Sequence, residues 1–145
     1  MRLVLEPLAT RLAATRCDGR SIRRLERVCE KMIDEADRGD LGNLDQTDYE
    51  FHLTIVKSCG HRRLLRAYEN SHILVVGPRV QMNQILANTA PQHRLLIDCI
   101  RQRDAEKAET LARDHVSRGL HAVEQTLGTT LDGSSLTDVK KEDVV

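Results

Sequence analysis

Residues 93–115 read HRLLIDCIRQRDAEKAETLARDH, and their spacing decides the fold. At about 100° per residue, His93 shares a helical face with Leu96, Ile97 and Ile100, and His115 shares one with Ala108, Leu111 and Ala112. Asp104 stands between the two apolar stripes and suits the cap of a second helix. The spacing therefore predicts a helical hairpin, with one helix over 90–103 and another over 105–127. His93 lies as far before Asp104 as His115 lies after it. At a rise of 1.5 Å per residue, both imidazoles sit roughly 16 Å from the turn, level with each other and facing inward.

The same period runs outward from this hairpin. A first helix is expected over 2–16, ending before Asp18-Gly19, with Pro7 early enough to be tolerated in its opening turns. Ser21 suits the N-cap of a second, whose apolar stripe is Ile22, Leu25, Val28, Met32, Ile33 and Ala36 and which Gly39 closes. A third runs from about Asp45 to Ser58 and stops at Gly60. A fourth starts near Arg62, is kinked or broken at Gly77-Pro78 and continues to about Leu86. Asn88 to Pro91 is the next break, and Gly128 ends the last helix. No segment alternates as a half-buried strand does. The expected fold is all-α, an antiparallel bundle of about six helices over 1–128, followed by a flexible, disordered tail over 129–145.

Composition narrows the function. A chain of 145 residues allows one small domain. Lys and Arg number 22 and so do Asp and Glu, for a net charge of zero, which argues against a dedicated binder of polyanions. Tyr49, Phe51 and Tyr68 are the only aromatic residues, too few for a base-stacking surface. No apolar run approaches a membrane span, and the first residues do not read as a secretory leader. Cys17, Cys29, Cys59 and Cys99 are widely spaced, without a Cys-x-x-Cys pair, and read as reduced thiols of a cytosolic protein, a disulfide pair being the alternative reading.

The chemistry-bearing residues are histidines on apolar stripes. His52 shares a face with Ile55, Val56 and Cys59, and Asp48 lies one turn before it. With His93 and His115 this makes an Asp-His-His-His set, suited to a borderline divalent ion such as zinc or nickel. A histidine on such a stripe can equally be a hydrogen-bonded core residue, and both readings stand at this point. His61 follows Gly60 in a turn and His121 has polar neighbours, so both are expected in solvent. His72 heads a further stripe with Leu65, Tyr68, Val75, Val76, Arg79 and Asn83. A buried Arg79 needs an anionic partner, either a carboxylate ligand or an internal Asp or Glu, unless a kink at Pro78 turns it outward.

Read in order, these residues resemble the effector-binding FCD domain of FadR-type GntR transcriptional regulators. Arg2-Leu-Val-Leu-Glu6-Pro7 with Ala9-Thr-Arg-Leu-Ala13-Ala14 is similar to its opening helix, and Asp48-Tyr-Glu-Phe51-His52 to its Asp-x-x-Phe-His signature. Ser58-Cys-Gly-His61 follows, with His61 where the family often has Asn. His93 to Ile100, Asp104 to Ala108 and Arg113-Asp-His115 complete a match over about residues 2–120. The resemblance implies an all-helical sensor that dimerises. Many members hold a divalent metal on one Asp and three His, here Asp48, His52, His93 and His115, and sense small organic acids near it. Arg2 and Arg79 match positions where members carry arginines that can face the cavity, and His72 and Asn83 join them from the stripe. DNA is then reached only through an N-terminal winged-helix domain, which this chain lacks. The alternatives are a metal-dependent hydrolytic enzyme, because three histidines and an open position can activate water, or a purely structural metal-binding dimerisation bundle.

Overall fold

The computed structural model describes residues 1–71 and 89–133, and they form six helices with no strand among them. We number these α1 (Arg2–Arg16), α2 (Gly19–Asp37), α3 (Leu41–Ser58), α4 (Arg62–Ser71), α5 (Gln92–Arg101) and α6 (Ala105–Gly133). The all-α expectation holds. Gly77-Pro78, His72, Arg79 and Asn83 lie outside the described residues, as does the tail beyond Gly133.

α1 buries Glu6, Pro7, Ala9, Thr10, Ala13 and Ala14. Small side chains along one face let another helix come close, and α1 packs most extensively along α6, where Ala108 and Ala112 are also buried. Two polar contacts fix their register: Arg113 Nη1 donates to Leu3 O at 3.5 Å and Arg11 Nη1 to Glu109 Oε2 at 2.8 Å; in the turn before α6, Arg103 Nη1 donates to Ala14 O at 3.4 Å. α2 is amphipathic and buries Leu25, Val28, Cys29 and Met32 against α3 and α5, while Ile22, Ile33 and Ala36 pack at the edge of the core. All four cysteines are free and buried, as reduced core residues should be.

Most differences from the sequence reading lie at helix ends. Asp18, not Ser21, caps α2: its carboxylate accepts the Ser21 N–H at 2.7 Å, so the helix starts at Gly19. α3 starts at Leu41 rather than Asp45, after a tight reversal in which Gly39 takes φ 67° and the Asp40 N–H reaches Glu35 O at 2.8 Å. α6 runs through Gly128 to Gly133, because a glycine inside a helix costs only about 1 kcal/mol and does not by itself end it. The hairpin turn is as expected. Asp104 Oδ1 accepts the Lys107 N–H at 3.1 Å, and Arg103 adopts φ 60°, a left-handed conformation unusual for a residue with a Cβ.

Candidate metal centre

Asp48 and His52 come from consecutive turns of α3, His93 from the first turn of α5 and His115 from the middle of α6. The four meet in the core, at 8%, 3%, 0% and 7% exposure. Such burial is costly for a carboxylate and three imidazoles unless each is satisfied by a partner. One potential ligand atom from each residue lies within 4.8 Å of all the others. His93 Nε2 is 3.3 Å from His52 Nε2 and 3.2 Å from Asp48 Oδ1; His115 Nε2 is 3.3 Å from His52 Nε2. The level placement expected across the Asp104 turn is realised, with the His93 and His115 rings centred 4.5 Å apart. Phe51 meets the His93 ring edge-on at 4.6 Å and closes one side.

What lies behind the rings fixes their protons. His93 Nδ1 is 3.1 Å from the Ala90 carbonyl oxygen, an acceptor, so this nitrogen carries the hydrogen and donates. His52 Nδ1 is 3.0 Å from Glu6 Oε2, again facing an acceptor. That oxygen lies off the ring N–H axis, so the contact is an ionic one rather than an aligned hydrogen bond. In their neutral forms both rings therefore turn a lone pair, at Nε2, toward the other across 3.3 Å. Two acceptors that close repel each other unless positive charge stands between them. A proton can supply it, and so can a metal ion.

Electrostatics describe the proton-bound state. Burial alone would lower the pKa of His52, but Glu6 and Asp48 outweigh it and raise the imidazole to about 9. Burial alone would raise Glu6, yet His52 and then Arg2 bring it down to about 2. Asp48, held by His52 and His93 against the same burial cost, is lowered well below the usual carboxylate range. His115 goes the other way: burial, then repulsion from His52 and His93, lower it to about 3. It stays neutral and ready to ligate, and its buried Nδ1 finds no partner among the described residues.

The residues also fit a metal. Two nitrogens at 2.0–2.1 Å from one tetrahedral ion are about 3.3–3.4 Å apart, the spacing seen twice here. Three imidazoles with one carboxylate suit zinc or another borderline ion and disfavour calcium or magnesium. Of the sequence-derived effector residues, only Arg2 is within the described part. Its Nε donates to Glu6 Oε1, and among the described residues it makes no second hydrogen bond. Burial would lower its pKa; Glu6, then Asp48 and Tyr68, raise it instead, which places the guanidinium in the field of this cluster. Sequence reasoning missed Glu6 and the Ala90 carbonyl. The signal for Glu6 was available, since Glu6, Ala9, Thr10 and Ala13 form one buried stripe and a carboxylate on it needs a reason. His61 and His121 are exposed, as expected. His61 Nδ1 nonetheless accepts the Leu64 N–H at 3.2 Å and caps α4.

Fold and site together define an all-helical domain with a buried centre of one carboxylate and three imidazoles that could hold a metal ion. Residues 1–118 match the model of the FCD domain, and the chain belongs to that family. The FCD domain is the effector-binding domain of FadR-type GntR regulators. No curated protein and no solved structure matches the chain. No helix among the described residues is long and apolar enough to cross a membrane.

Proposed function

We propose that this domain is the sensor of a bacterial transcription regulator, that it holds one divalent ion on Asp48, His52, His93 and His115, and that it reads a small carboxylate bound beside that ion. The observation that carries the reading is the pair of Nε2 atoms, 3.3 Å apart, on rings whose Nδ1 atoms both face acceptors. Zinc or nickel suits the donors. With four protein ligands a tetrahedral ion is full, so an oxygen ligand would enter by expansion to five or six coordination, and the ion would polarise it there.

Charge counting supports a carboxylate as the sensed group. Glu6 and Asp48 are buried anions and Arg2 is a cation paired to Glu6. Adding a divalent ion leaves the cluster one positive charge in excess, and a monoanion neutralises it. Arg2 has donors to spare beyond the Nε that it gives to Glu6, and a guanidinium suits a carboxylate. Arg79, His72 and Asn83 complete the proposed effector site from outside the described residues. The domain acts as a homodimer in the cytoplasm and reaches DNA through a winged-helix partner domain.

The test is direct. Protein purified without chelator should carry about one ion per chain by elemental analysis, or take one up on adding zinc or nickel. A chain that stays metal-free after both additions overturns the centre. A calorimetric screen of di- and tricarboxylates, hydroxy acids and sugar acids should then find a binder that weakens both in Arg2→Ala and after metal removal. Binders indifferent to both changes would place the effector elsewhere.

A further inference from the structure

Beyond the four candidate ligands lies a carboxylate that the proposed function does not use. Glu6 is 3% exposed in the second turn of α1. One of its oxygens takes Arg2 Nε and the other faces His52 Nδ1 at 3.0 Å. It cannot itself be a ligand, because it meets His52 on the side of the ring away from the cluster. From that position it can do two things. Its negative charge 3.0 Å from Nδ1 favours the hydrogen on that nitrogen, which commits the Nε2 lone pair to the centre, and the same charge makes the ring a better donor. His115 has no such anchor among the described residues, and His93 has only a neutral carbonyl. Glu6 is thus the one anionic support behind an imidazole of the cluster among the described residues.

The geometry points to Glu6 as the positioning residue of the metal centre, tying the first turns of α1 to the occupancy of His52. The inference rests on the metal reading above. Its physical content is a three-part relay, Arg2 to Glu6 to His52, that begins at the N-terminal end of α1 and ends at the cluster. An ion at Nε2 polarises the ring, strengthens the Nδ1–H donor and tightens the hold on Glu6. The backbone of α1 around Glu6 then becomes harder to open.

The experiment compares wild type, Glu6→Ala and Glu6→Gln by zinc competition titration, by NMR of the His52 ring nitrogens and by hydrogen exchange over residues 4–10. Glu6→Ala should weaken zinc 10–100-fold, the range typical for losing an outer partner of a ligating histidine. It should also lose the slowly exchanging Nδ1 proton of zinc-bound His52. Glu6→Gln restores an acceptor without the charge, so its affinity should fall between the two. Zinc should slow exchange over residues 4–10 in the wild type and do so far less in Glu6→Ala. If Glu6→Ala does not fold, Glu6→Gln alone decides: several-fold weaker zinc supports the inference and wild-type affinity overturns it. Zinc affinity in Glu6→Ala within twofold of wild type, or equal losses in both variants, also overturns it. A wild type that takes up no zinc sinks the metal reading and this inference together, and is told apart by needing no variant.

Discussion

Helix α5 carries two charged neighbourhoods on different faces, and they obey different rules. Its inner face gives His93 to the buried cluster with Asp48, His52 and His115. Its outer face gives Arg94, Asp98 and Arg101 to an open groove of about 230 Å³ against Glu26, Cys29 and Glu30 of α2. In the groove, Arg101 pairs with Glu26 and, at 2.9 Å, with Asp98, in a setting where each side chain is a third to a half exposed. Water can replace any of these partners, so such pairs contribute about 0–1 kcal/mol. The inner cluster is buried. Its groups must be satisfied by one another or by a cation, and removing one partner of a buried pair costs about 3–5 kcal/mol. What sets the candidate site apart from the groove is therefore the enclosure of its charges.

The largest expected effect removes the cation. Zinc at about a thousand times its dissociation constant should stabilise the domain by roughly 4 kcal/mol, a rise of about 10–20 °C in Tm for a chain of this size. Chelator should reverse it. In His52→Ala the zinc-dependent rise should vanish, because that residue touches all three other members of the set. A scan that shows the same zinc shift in His52→Ala and wild type would place the ion elsewhere.

The next effect is proton linkage at the same cluster. Metal-free, His52 is raised to about 9 and is therefore protonated at pH 7, held between Glu6 and Asp48. Zinc must displace that proton, so binding at pH 7 should release about one proton per ion, read as a dependence of calorimetric heat on the ionisation enthalpy of the buffer. The metal-free stability should follow the same groups. Stabilisation from His52, whose folded pKa lies above the ordinary 6.5, is complete below pH 6.5 and is lost as the pH rises through about 9. His115, lowered to about 3, acts in the opposite sense: keeping it neutral costs stability increasingly as the pH falls from 6.5 toward 3. Metal-free Tm should thus decline on both sides of a maximum near neutral pH. A flat profile from pH 5 to 10 would contradict the assigned partners.

How far the sequence disclosed this contrast depends on the element. The inward histidines were legible because helical period is a strong signal and because His93 and His115 are equidistant from a capped turn. Asp48 followed from His52 through the one-turn spacing. Glu6 was not found, since its role depends on α1 packing near α3, and no local pattern fixes which helices become neighbours. The Ala90 carbonyl carried no signal at all, because every residue has one. Helix ends were the weakest part of the reading. Asp18 and Ser21 are both good caps and stand three residues apart, and Gly128 is a permitted interior glycine as easily as a stop. Arg79, His72 and Asn83 remain readings of a stripe that lies outside the described residues.

The smallest effect is expected on the outer face of α5. Arg101→Ala breaks two ion pairs at once, yet both of its carboxylate partners stay wet. The change should lower stability by less than about 1 kcal/mol, and 0.5 M salt should erase most of that difference, because a Debye length of about 4 Å screens exposed charges. The same salt should hardly alter the cost of His52→Ala measured without metal, since those charges are enclosed. Comparing the two substitutions at low and high salt in chelator therefore tests enclosure itself, independent of any ion. If Arg101→Ala proves as costly as His52→Ala and as insensitive to salt, the groove is far less solvated than its exposure suggests, and the division between the two faces fails.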